Sequence, residues 1–186
     1  METVMAIYYG DGSNSNGGST GGRIIQVTQN GFNTTSSANV NAGSIWESTG
    51  LDVTLTPKNS TNKILVMAQV YMHVVGPQYN QGIILRKGTG GSYSTLTAAN
   101  GAAAGNRMTL IGAGTDGVGS GYEIVPVSFH YLDVGGSTNA TTYRCDIYNP
   151  SSITRTTYIN RAPSDDNTGY NQRLASWIIA MEVANT

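Results

Sequence analysis

Apolar and polar positions alternate along much of this chain. Between Lys63 and Val75, one side of a two-residue period carries Ile64, Val66, Ala68, Val70, Met72 and Val74. The other side carries Leu65, Met67, Gln69, Tyr71 and His73. Successive side chains of an extended strand point to opposite faces, so this segment reads as a long strand with one core face and one semi-apolar face. The same period returns near the C-terminus, with Ala175, Trp177, Ile179, Met181 and Val183 on one side. Leu174, Ser176, Ile178, Ala180 and Glu182 fall on the other. Further strands are predicted at 23–29, 45–47, 51–56, 82–87, 107–112, 122–134, 142–149 and 156–160, separated by Gly-, Asn-, Pro- and Ser-rich breakers such as 57–62 and 135–139. No segment holds a helical apolar period, and the Ala-rich stretch 98–105 is interrupted by Gly and Asn, which makes it a loop. About ten strands without helices for crossovers predict an all-β, antiparallel jelly-roll β-sandwich over residues 23–186.

Residues 1–22 differ from the rest. A short apolar start, with Val4, Met5, Ile7, Tyr8 and Tyr9, runs into a Gly/Ser/Asn tract that cannot bury enough surface to fold alone. This pattern predicts a flexible arm whose tip docks onto a partner; pairing of that tip with the chain's own sheet is the alternative. Long strands that are semi-apolar on both faces need cover on both. In a sandwich, one face is the core and the second meets a neighbouring subunit. A homo-oligomer is therefore expected, with Leu65, Met67, Tyr71, His73 and Ile178 as interface candidates.

Composition narrows the field. Charged residues are 11% of the chain and the formal net charge is −1, so there is no basic field to hold nucleic acid. A surface this close to neutral loses the charge repulsion that keeps monomers apart, which suits life in an assembly. The single cysteine, Cys145, excludes an internal disulfide and is expected to be a buried, inert thiol. The first residues lack the basic and apolar regions of a signal peptide. No apolar run approaches the roughly 20 residues needed to span a bilayer, so membrane insertion is not expected.

Chemistry-bearing residues are sparse. The two histidines, His73 and His130, fall on the mixed faces of long strands, and neither accompanies a nucleophile elbow. Around a three-fold axis, a ring of such histidines would suit a metal or an anion. The adjacent carboxylates Asp165 and Asp166 have calcium-binding potential in a loop that otherwise reads as solvated. The string from Gly112 to Gly117 matches a dinucleotide fingerprint in spacing, but a strand rather than a helix is predicted after it. No catalytic residue, metal site or cofactor is expected, and enzymatic activity is not expected; a pair of distant glycosidase carboxylates is the one arrangement that spacing leaves open. The loops at 76–81, 88–105 and 163–172 are rich in Tyr, Asn, Gln, Gly and Ser, a composition that suits sugars or protein epitopes.

Several islands add a resemblance. The opening from Ile7 to Asn16, the run from Gly22 to Val27, and the run from Gly50 to Pro57 leading through 62–66 stand in order along the chain. They are followed by 127–133, 140–143, 158–161 and the ending from Ala180 to Ala184. As an ordered set they resemble virion structural proteins of marine and cyanobacterial tailed bacteriophages. The resemblance implies a compact jelly-roll head of the tumour-necrosis-factor-like kind, assembled as a homotrimer. It also implies assembly in the host cytoplasm and a place on the particle surface, as a capsid fibre, knob, decoration or tail-fibre module. Residues 1–22 would join the head to other virion proteins, and the head would contact a host-surface glycan or protein. The resemblance carries no catalytic residues. A free carbohydrate-binding, lectin-like module is the second expectation.

Overall fold

The computed structural model describes residues 22–47, 49–75, 81–105, 109–113 and 122–185. The docking candidates Val4, Met5, Ile7, Tyr8 and Tyr9 lie outside the described residues. Twelve strands are present among those described. They are β1 (Ile24–Phe32), β2 (Ser36–Val40), β3 (Ser44–Trp46), β4 (Asp52–Leu55), β5 (Lys63–Val74) and β6 (Gly82–Thr89). The remainder are β7 (Ser92–Thr95), β8 (Gly112–Ala113), β9 (Val125–Asp133), β10 (Thr141–Asn149), β11 (Arg155–Ile159) and β12 (Ser176–Val183). The only helical turn described is a 3-10 turn at Thr97–Ala99, inside the stretch predicted as loop.

Two antiparallel sheets pack face to face. In the first, β5 pairs with β9 on one edge and with β12 and β11 on the other; β12 then pairs with β1, and β11 with β2. In the second, β10 pairs with β3 and β4 on one edge and with β6 on the other, and β6 carries β7 and β8. The eight main strands thus stand in the orders β1-β12-β5-β9 and β4-β10-β6-β7. Consecutive strands repeatedly switch sheets, which is the jelly-roll arrangement predicted.

The alternation in β5 explains where the core sits. Ile64, Val66, Ala68, Val70, Met72 and Val74 are all buried, at most 1% exposed, against Tyr143, Cys145 and Ile147 of β10 and Ile83 and Leu85 of β6. Two strands escaped the sequence pattern. The sequence of β2, Ser-Ser-Ala-Asn-Val, has only Val40 among the branched and aromatic residues that mark strands, and its pairing with β11 supplies the order. The strand β7 exists because Gly90 and Gly91, at φ +62° and +90°, close a two-residue hairpin between Thr89 and Ser92. Conversely, the strand predicted at 107–112 is described only as the two residues of β8.

Two polar knots tie the sandwich together. Asp133, at the end of β9, accepts hydrogen bonds from the Tyr143 hydroxyl of β10 and from Lys87 Nζ of β6, both at 2.6 Å. One carboxylate therefore bridges the two sheets. Lys87 also donates to the Gly135 carbonyl at 2.6 Å. Gly135 itself is fixed by geometry: its φ is +65°, and a Cβ there would lie 2.2 Å from the Asn62 carbonyl oxygen. The second knot surrounds Glu182 of β12, which is fully buried. Its carboxylate accepts from Gln26 Nε2 and Asn62 Nδ2 at 2.6 Å and from the Lys58 and Asn59 backbone N–H groups at 2.7 and 3.3 Å. The loop between β4 and β5 is thereby pinned beneath the sheet.

Candidate functional site

Opposite residues in adjacent strands share a face, so the register of the first sheet specifies its outer surface. Val27 of β1 stands opposite Met181 of β12, Met181 opposite Leu65 of β5, and Leu65 opposite Leu132 of β9. That is one apolar row across four strands. The next row runs Gln29, Ile179, Met67, His130, and the one after it Gly31, Trp177, Gln69, Ser128. At the margins, Ile24, Val27, Leu132 and Val134 are about half exposed or more, with Val134 at 73%.

Of the interface candidates, Leu65, Met67 and Tyr71 lie on this face and are half-buried. His73 does not present itself there. It is 4% exposed, its Nδ1 donates to the Glu123 carbonyl, and its ring meets the Tyr158 ring edge-on at 6.2 Å. Ile178 is a correction: it is 0% exposed and belongs to the hydrophobic core. The outward residues of β12 are Trp177, Ile179, Met181 and Val183 instead. The inward face of β12 was hard to recognise because it also carries Ser176 and Glu182. Both are buried and bonded, Ser176 Oγ donating to Asn160 Oδ1 at 2.5 Å and Glu182 as described above.

The outer face of the second sheet has the opposite character. Arg86 pairs with Glu47 and, at 3.2 Å, with Asp146. Arg144 pairs with Asp146 at 2.9 Å and with Glu47 at 3.4 Å, while its guanidinium stacks 3.9 Å above the Tyr93 ring. Burial pushes the Asp146 carboxyl above its ordinary value, and the two guanidiniums only partly offset that. Hydrogen bonding to Arg86 holds Glu47 below its ordinary value. This is an ion-pair network, whereas the rows described on the first sheet carry no formal charge.

Other candidate chemistry resolves into structure. Burial pushes the Cys145 thiol well above its ordinary value, with Asp146 and Asp52 adding to the effect. In the folded protein this thiol is expected to resist a thiolate-specific disulfide reagent, and one thiol per chain should appear only on unfolding; prompt native-state labelling would contradict the burial. The Asp165 carboxylate is held by Arg173, Oδ1 to Nε at 2.9 Å and Oδ2 to Nη2 at 2.8 Å, so its oxygens are not turned to a calcium ion. His130 is exposed on β9. Among the described residues, no group of three His, Cys, Asp or Glu could hold a metal ion. Gly112 and Ala113, at the start of the fingerprint-like string, form β8, a strand of the second sheet.

One feature was not singled out in the sequence. Tyr122, Gly169, Tyr170 and Gln172 line an open cleft of about 590 Å³. Tyr170 and Gln172 fall within the loop whose composition suits ligands, whereas Tyr122 lies just before β9, in a turn at the head of the strand predicted over 122–134. Compared with protein-family models and with curated proteins, the chain matches none.

Proposed function

We propose that this chain is a structural protein of a tailed-bacteriophage virion, displayed on the particle surface and assembled as a homotrimer through the outer face of its first sheet. The observation that carries the reading is the apolar row Val27, Met181, Leu65, Leu132. An apolar row that runs across four strands while the other outer face is charged is a surface built to be covered. The ordered islands of resemblance along the chain support the virion context and the three-fold symmetry. Residues 1–22 then supply the attachment to other virion proteins, and the exposed loops face the host.

Light scattering on the purified full chain tests the assembly. The expected mass is three times 19.6 kDa, and Met67→Glu is expected to leave a 19.6 kDa species. An unpaired carboxylate buried in each interface costs about 3–5 kcal/mol, enough to dissociate most oligomers at micromolar concentration. A wild-type chain that stays at 19.6 kDa at high concentration would refute the assembly. Antibody labelling of purified particles tests the location; particles without label would refute the virion role. The cleft at Tyr122 and Tyr170 favours a second reading, a free lectin-like module. That reading predicts a monomer absent from particles.

A further inference from the structure

We infer that the cleft between Tyr122 and Tyr170 is a binding site for a neutral saccharide. Tyr170 is 81% exposed and Tyr122 54% exposed, and the two line the same open cleft with Gly169 and Gln172. Large aromatic rings held in water gain nothing from folding; their value lies in what they meet next. A pyranose offers a flat array of C–H groups with positive edges, which sits well on the negative face of an aromatic ring. Its hydroxyls match the Tyr hydroxyls and the Gln172 amide, each of which both donates and accepts. The described lining residues, Tyr122, Gly169, Tyr170 and Gln172, carry no formal charge, which suits a neutral ligand. Gly169, without a side chain, leaves room for close approach of a ring. The volume falls within the usual range for small-ligand clefts, roughly 300–1,000 Å³.

Both tyrosines are held by structure already paid for in folding. Tyr170 occupies the third position of a turn closed by Asn171 N donating to the Thr168 carbonyl at 3.2 Å. Asn171 Nδ2 braces that turn against the Asp166 carbonyl at 2.9 Å, and the Asp165–Arg173 pair spans its base. On the other side, the buried His73 holds the carbonyl of Glu123, next to Tyr122. Such bracing lowers the ordering cost of binding. The cleft lies away from the apolar row on which the proposed assembly rests; of the interface candidates on that face, only Tyr71, paired with Pro126, stands at the cleft end of β5. Tyr122 precedes Val125, which pairs with Met72, whereas Leu132 pairs with Leu65 at the opposite end of β5. Seven residues of strand amount to about 23 Å.

The test uses the full chain on an array of neutral and acidic oligosaccharides, followed by NMR titration of each hit with the wild type, Tyr170→Ala, Tyr122→Ala and Tyr170→Phe. Neutral glycans are expected to bind, with at least a tenfold loss in both alanine variants and near-wild-type binding in Tyr170→Phe, which keeps the stacking face. Retained thermal melting verifies that the variants are folded. An array blank for neutral glycans would overturn the inference. So would binding unchanged by both alanine substitutions, selective binding of acidic glycans, or a cleft that serves only a protein ligand. Because the readout is independent of subunit mass and of particle labelling, its failure leaves the virion assembly untouched.

Discussion

Glu182→Ala is expected to lower the folding free energy by about 3–5 kcal/mol, because it strands the Lys58 and Asn59 N–H groups and the Asn62 amide, at about 1–3 kcal/mol each. At fixed protein concentration this corresponds to a drop in melting temperature of roughly 6–20 °C. Calorimetry of the two chains measures it directly. The milder Glu182→Gln keeps the shape but removes the charge and turns one acceptor into a donor, so an intermediate loss is expected. The pH dependence is the sharper signature. Burial alone would raise this carboxyl, but the bonds from Asn62, Gln26 and the Lys58 and Asn59 backbone outweigh it and hold the group below its ordinary 4.5. A carboxyl depressed in the folded state contributes stability that is present above the unfolded value and is lost as pH falls through the folded one. Wild type should therefore lose its advantage over Glu182→Gln as the pH falls below the carboxyl's ordinary 4.5. Parallel stability curves across that fall in pH would show that the charge contributes nothing.

Asp133→Ala is expected to produce a loss of comparable size, about 3–5 kcal/mol, through a different failure. The carboxylate joins β9 of the first sheet to Tyr143 and Lys87 of the second, and its removal leaves a partly buried ammonium and a buried hydroxyl facing each other. Tyr143→Phe removes one bond and leaves the ion pair, so about 1–2 kcal/mol is expected. Adding Lys87→Met to Asp133→Ala should restore part of the loss, since the stranded cation goes with it. Urea denaturation of the wild type and the three variants settles the order. If Asp133→Ala costs no more than Tyr143→Phe, the bridge between sheets is not what holds these strands.

The outer face of the first sheet and the cleft differ in how far the sequence exposed them. Leu65, Met67 and Tyr71 were readable because β5 alternates strictly and its inner set is purely apolar. Ile178 was misplaced because both faces of β12 carry apolar side chains, and the inner one also carries a serine and a glutamate. Polar residues lie inside there because Asn160, Asn62, Gln26 and the 58–59 backbone arrive from distant parts of the chain to satisfy them. His73 was read as surface for the same reason: its partner is the carbonyl of Glu123, fifty residues away. The Tyr122–Tyr170 cleft joins residues separated by three strands and the loops between them, and no local pattern announces such a meeting.

By itself the sequence determined that the chain makes strands, that β5 has a core face, that Cys145 is enclosed in that core, and that charge is scarce. Each is a statement about a local period or a composition, and a two-residue period is a property of the extended backbone itself. Only the tertiary structure decided which face of β12 turns inward, that the two outer faces are unlike, and that a carboxylate can be at home in the interior. Those outcomes depend on hydrogen-bond partners brought together across the fold, and satisfaction of a buried polar group is a long-range property that neighbouring residues do not encode.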